Sequence, residues 1–167
     1  MIKSPEIEEF PCFLSLKKRT ETKYIVIHCS ATRNLQSVDR RSIDQLHRSK
    51  GWLTIGYHFV IKTDGTIQRG RPIDAVGSHV KGHNSDSIGI CLVGGVDVHG
   101  KSCNNFNEKQ LKALKELVDY LLSVYLDCEV LGHRDFKGVA KDCPCFDVKD
   151  WYTYPTYVRY DGVLPKY

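Results

Sequence analysis

Tyr24-Ile25-Val26-Ile27-His28-Cys29 is the run on which the architecture turns. It is dense in β-branched residues and apolar on both faces, which marks a strand in the middle of a sheet that is covered on each side. Successive side chains of a strand point to opposite faces, so His28 and Cys29 are expected to part company, with Cys29 buried. His28 then stands as a polar residue at the end of a buried strand. Alone it reads as a hydrogen-bonded core histidine, and only partners would make it a ligand.

Working outward, Ile43, Leu46 and His47 follow helical spacing within residues 38–50, and Gly51 supplies a C-terminal stop. Residues 57–63 and 66–68 form two extended runs joined by Asp64-Gly65. That pair is a strong hairpin signal, read here as a turn with positive φ at both central positions. Ser87-Ile88-Gly89-Ile90-Cys91-Leu92-Val93 is a second buried strand, ended by Gly94-Gly95. Asn107 caps a long helix, and Gln110 completes a capping box. Leu111, Leu114, Leu117, Val118, Leu121, Leu122 and Tyr125 mark the core face of that helix. Residues 129–131 make a short strand leading into Gly132-His133, and 146–151 a last short helix. Strands alternating with helices predict an α/β fold, a single domain with a central mixed β-sheet flanked by helices. Residues 1–22 lack periodicity and read as a loosely held arm. Residues 152–167, rich in tyrosine and proline, read as a tail packed on or near the domain.

The chain's 167 residues suit one domain. The net charge of +4 is a mild excess that could favour an anionic polymer. No basic run of the kind that grips a phosphate backbone occurs, so direct nucleic-acid binding is not expected. No segment approaches the ~18 apolar residues of a membrane span. Acids and a proline occupy the start, where a signal peptide would need an apolar stretch, so the expectation is a protein made in a cytoplasm without an export signal. Seven cysteines, an odd number with no Cys-x-x-Cys pair, point to reduced thiols, most of them buried, rather than to a disulfide framework.

Three candidate metal ligands fall near the ends of elements: His28, His133 and Cys143. Two imidazoles and one thiolate would leave a fourth tetrahedral position open, the pattern of a catalytic zinc, and such donors suit zinc better than calcium or magnesium. Nothing local forces these three together, and seven histidines with seven cysteines offer many other trios.

Four blocks then add a resemblance. His28-Cys29-Ser30-Ala31-Thr32, Gly51-Trp52-Leu53-Thr54-Ile55-Gly56-Tyr57-His58-Phe59, the run Val76-Gly77-Ser78-His79 to Asn84 with residues 87–95, and Gly132-His133-Arg134-Asp135 with Lys141-Asp142-Cys143-Pro144 occur in order. Together they resemble the zinc-dependent N-acetylmuramoyl-L-alanine amidases that share a fold with peptidoglycan recognition proteins. The resemblance covers residues 24 to about 151 and implies an amidase domain over 23–151. It implies zinc held by His28, His133 and Cys143, with Tyr57 and Lys141 in catalysis beside the metal. His79 and Asn84 would line the groove that binds muropeptide. Cys145, Asp142 and Asp147 remain contenders for the metal, with Cys143 preferred because Lys-x-Cys-Pro keeps the family's register.

The implied activity is hydrolysis of the amide between N-acetylmuramic acid and L-alanine in peptidoglycan, by a monomeric phage endolysin. Such an enzyme would act from the infected host's cytoplasm, reaching the wall through a separate membrane lesion such as a holin's. Two alternatives are a non-catalytic peptidoglycan-binding module and a regulator that also restrains a phage RNA polymerase, as a phage member of this family does.

Overall fold

The computed structural model describes residues 2–153, which form one six-stranded mixed sheet with three α-helices. The strands are β1 (Ile7–Glu8), β2 (Tyr24–Cys29), β3 (Phe59–Ile61), β4 (Ile67–Arg69), β5 (Ser87–Leu92) and β6 (Glu129–Gly132). The helices are α1 (Arg40–Ser49), α2 (Glu108–Val124) and α3 (Val148–Trp151). Sheet order is β1-β4-β3-β5-β2-β6, and only the β3–β4 pair is antiparallel. β2 lies inside the sheet with β5 and β6 parallel on either side, as its two apolar faces require.

One face of the sheet carries Ile25, Ile27, Ile88, Ile90 and Leu92, which pack under Leu114, Leu117 and Leu121 of α2. The capping box at the start of α2 is present, with Asn107 Oδ1 accepting from the Gln110 amide at 3.0 Å. The other face is split. Ile43 of α1 meets Val60, Cys91 and Val93, while Val26, Val80, Leu131 and Phe136 close a smaller cluster beside it. His28 belongs to this second face, and Cys29 is buried toward the first, as strand alternation demands.

Three expectations change. The arm is not loosely held along its length: β1 pairs in parallel with β4, Glu9 takes both hydrogen bonds of an Arg69 fork at 3.0 Å, and Phe10 lies under the guanidinium groups of Arg40 and Arg41. The Asp64-Gly65 turn has positive φ at Gly65 alone. The Gly65 amide closes on the Lys62 carbonyl at 2.9 Å, and Asp64 Oδ1 accepts the Thr66 amide, so the loop is longer than a two-residue hairpin. The cysteines are less buried than expected: three are buried and four lie half-exposed. Of the tail, Tyr152 is 3% exposed and its hydroxyl donates to Asp119 at 2.7 Å. Residues 154–167 lie outside the described residues.

Candidate metal centre

Parallel strands deliver their loops to one end of a sheet, and ligands bind there, beyond the carboxyl ends of the strands. β2 and β6 are parallel neighbours, so His28 near the end of one and His133 directly after the other arrive side by side, with ring centroids 4.6 Å apart. Asp135 holds the short 3-10 turn His133–Asp135 by accepting the Gly132 amide at 2.8 Å. The chain then returns: the Arg134 amide donates to the Cys143 carbonyl at 2.8 Å, and the Cys145 amide closes a turn on the Asp142 carbonyl. This brings Cys143 Sγ to 3.8 Å from His28 Nδ1.

One candidate atom from each of His28, His133 and Cys143 lies within 4.8 Å of the other two, the one such cluster among the described residues. Zinc bonded to nitrogen at 2.0–2.1 Å and to sulfur at 2.3 Å in a tetrahedron sets an N···S separation of roughly 3.6 Å. The observed 3.8 Å fits that spacing, and two imidazoles with one sulfur are zinc's preferred donors. The Cys29 backbone amide donates to Cys143 Sγ at 3.3 Å and helps fix the position of that sulfur. Hydrogen bonding with Cys143, followed by burial, pushes the Cys29 thiol well up, so Cys29 stays protonated.

Cys145 is turned aside. Its φ of 76° swings the side chain toward the α2 face, where Sγ donates to the Gly95 carbonyl at 3.3 Å and lies 4.0 Å from Cys29 Sγ. Burial and the neighbouring Cys29 push its thiol up to about 12. Neither Cys145, Asp142 nor Asp147 joins the cluster.

Burial is the first cause of low histidine pKa values throughout this region. His28 and His79 are held well below the ordinary value, with further depression from His133 on both. His133 is lowered by burial and then by the Lys141 ammonium. His47 falls to about 4 and His58 to about 3. All five rings are therefore neutral at pH 7, the state a metal ligand must have.

A stability prediction follows from His47 and His58. Both have folded-state pKa values below the ordinary 6.5, so the unfolded chain takes up protons first as pH falls. Their contribution is complete above pH 6.5 and is lost progressively toward pH 3. In a chelator, Tm is expected to fall steadily between pH 6.5 and 4. A flat profile over that window would contradict the burial of these rings as neutral groups.

Tyr57 is half-buried beside the cluster, its ring 5.0 Å from that of His28 and 5.4 Å from that of His47. Burial first, then Cys91, Cys143 and Cys29, push its phenol above the ordinary range, so Tyr57 is a donor rather than a base. Lys141 is exposed, and its effect on His133 places its charge near the cluster.

His79 lies directly against the cluster, and Asn84 holds its backbone. His79 is 8% exposed, with Nδ1 2.8 Å from His28 Nε2 and Nε2 3.2 Å from Ser87 Oγ. Asn84 Oδ1 accepts the backbone amides of His79 at 2.7 Å and Val80 at 2.9 Å. Both are thus hydrogen-bonded to neighbouring groups of the protein. Sequence reasoning passed over Ser87, the Cys29 amide and His47, whose Nδ1 accepts the Gly56 amide at 3.0 Å. Ser87 read simply as a strand residue, and a backbone amide carries no residue-type signal at all.

Comparison with known proteins adds an independent line. Residues 18–146 match a family model described as N-acetylmuramoyl-L-alanine amidase. An endolysin of Klebsiella phage KP32 is 48% identical over 135 residues, covering 81% of this chain and 88% of its own. An endolysin of Escherichia phage T7 is 46% identical over 139 residues, covering 83% and 91%. Among solved structures, an endolysin N-acetylmuramoyl-L-alanine amidase from Clostridium intestinale superposes with a TM-score of 0.74 at 31% identity, over 88% of this chain and 91% of its own. A variant of the Drosophila recognition protein PGRP-LB, solved in complex with tracheal cytotoxin, superposes at 0.67 with 27% identity, over 80% and 82%.

Proposed function

The chain belongs to the N-acetylmuramoyl-L-alanine amidase family, and from that membership we propose that it cuts the amide between N-acetylmuramic acid and L-alanine in peptidoglycan as a phage endolysin. The convergence of His28, His133 and Cys143 on one point is the observation that carries a zinc-dependent form of this reading. Muropeptide as the ligand is supported by the related fold solved with tracheal cytotoxin. Action from inside the infected cell, with a holin or similar lesion giving access to the wall, follows the phage relatives.

In this reading His28, His133 and Cys143 hold the ion. When bound, zinc supplies Lewis acidity that activates water near neutral pH and polarises an amide carbonyl. The remaining work belongs to the chain. As the amide carbon becomes tetrahedral, negative charge collects on its oxygen, and the Lys141 ammonium stabilises that charge. The protonated Tyr57 phenol donates a hydrogen bond within the same space and orients the reacting groups. The Cys29 amide, donating to the Cys143 sulfur, holds that sulfur in place.

The reading takes the chain as a monomer, and its alternative is a regulator that also contacts a phage RNA polymerase. Co-purification with the cognate polymerase checks the latter, and its absence would remove it.

The deciding assay digests purified peptidoglycan and measures both new α-amino groups of alanine and new reducing ends. An amidase releases the first and none of the second. Tight wall binding with neither product would leave a binding module instead.

A further inference from the structure

His79 sits in a cradle that leaves its ring one orientation. Asn84 fixes its backbone, and the ring lies against two glycines where any larger residue would collide. A Cβ on Gly89 of β5 would stand 2.7 Å from His79 Cγ, and one on Gly77 2.5 Å from Cδ2. The two ring nitrogens then meet two set partners, His28 Nε2 and Ser87 Oγ.

Ser87 determines which way these hydrogen bonds run. A hydroxyl has one proton, and that of Ser87 goes to the His83 carbonyl at 2.5 Å, a group that can only accept. Ser87 Oγ therefore accepts from His79 Nε2–H. The other nitrogen of a neutral His79 is bare and accepts, so His28 Nε2 must donate to it. What remains on His28 is an unprotonated Nδ1, the nitrogen 3.8 Å from Cys143 Sγ.

We propose that His79 is a positioning residue of the metal centre: with Ser87 it fixes His28 as the Nε2–H tautomer and keeps His28 Nδ1 free for the ion. This rests on reading His28 as a zinc ligand. Metal-bound histidines usually donate the second ring nitrogen to a carboxylate, a carbonyl or water, which sets ring orientation and tautomer. A histidine in that role has no fixed polarity of its own, and the Ser87–His83 link gives it one. Unlike a carboxylate, it does so without adding a negative charge to a buried site.

The test reads imidazole 15N shifts in the zinc-free chain and zinc affinity by competition with a chelator. Wild type is expected to carry His28 and His79 both as Nε2–H tautomers. Ser87→Ala and His79→Leu are expected to populate the Nδ1–H form of His28 and to weaken zinc binding about 10- to 100-fold. His79→Asn, whose side-chain oxygen stands where Nδ1 stood, is expected to recover much of both. Finding His28 as Nδ1–H in wild type, or unchanged tautomer and affinity in Ser87→Ala and His79→Leu, would overturn the proposal. Should His79→Leu fail to fold, Ser87→Ala decides alone, because it deletes a single oxygen. A wild type that binds no zinc removes the ligand reading, while the nitrogen shifts of the free chain still decide the tautomer.

Discussion

Cys143→Ser is expected to empty the site of zinc and to abolish release of stem peptides from peptidoglycan. A serine hydroxyl keeps its proton at neutral pH and is a harder, weaker donor than a thiolate. Sharing the roughly 10–16 kcal/mol of a structural zinc site among four ligands assigns about 2.5–4 kcal/mol to each, roughly 70- to 900-fold in affinity. The informative control is Cys145→Ser, two residues away. Its sulfur is bonded to the Gly95 carbonyl and turned from the cluster, so zinc content and activity should persist. Metal analysis of the two purified variants, with amine release measured on the same preparations, checks both claims. The ligand assignment would fall if Cys145→Ser lost the ion and Cys143→Ser retained it.

Lys141→Ala is expected to leave zinc content unchanged and to lower kcat by about 10²- to 10³-fold, the cost of removing one group that stabilises a developing oxyanion. KM should move little, because the charge it answers appears only as the carbonyl carbon becomes tetrahedral. Lys141→Arg keeps the charge but not its compact shape, and should recover part of the rate. Equal losses in zinc content and rate would instead make Lys141 a support for the ligands. An unchanged kcat would remove it from catalysis.

Much of the fold was legible because burial leaves a pattern. β2 was readable from six residues apolar on both faces, and α2 from its capping box and its leucine stripe. β1 escaped because two residues have no periodicity, and what holds them is pairing with a strand some sixty residues away. The turn at Asp64-Gly65 was found but mistyped, since the same dipeptide serves loops of more than one length. Nothing in the residues around His133 forces it toward His28. Only the adjacency of β2 and β6 does, and that is a property of the assembled sheet. The relay behind His28 was illegible for a related reason: three of its members are a serine, a carbonyl and a histidine that each look ordinary in their own segments.

β1 has one more consequence. A sheet that ended at β4 would present a row of unused amide and carbonyl groups to any passing strand, including one from another copy of the same chain. Here β1 covers that row with just Ile7 and Glu8, and Glu9 follows, clasped by Arg69. So short and acidic a margin gives an incoming strand almost nothing to zip onto. The protein thus carries its own hem along that margin of the sheet.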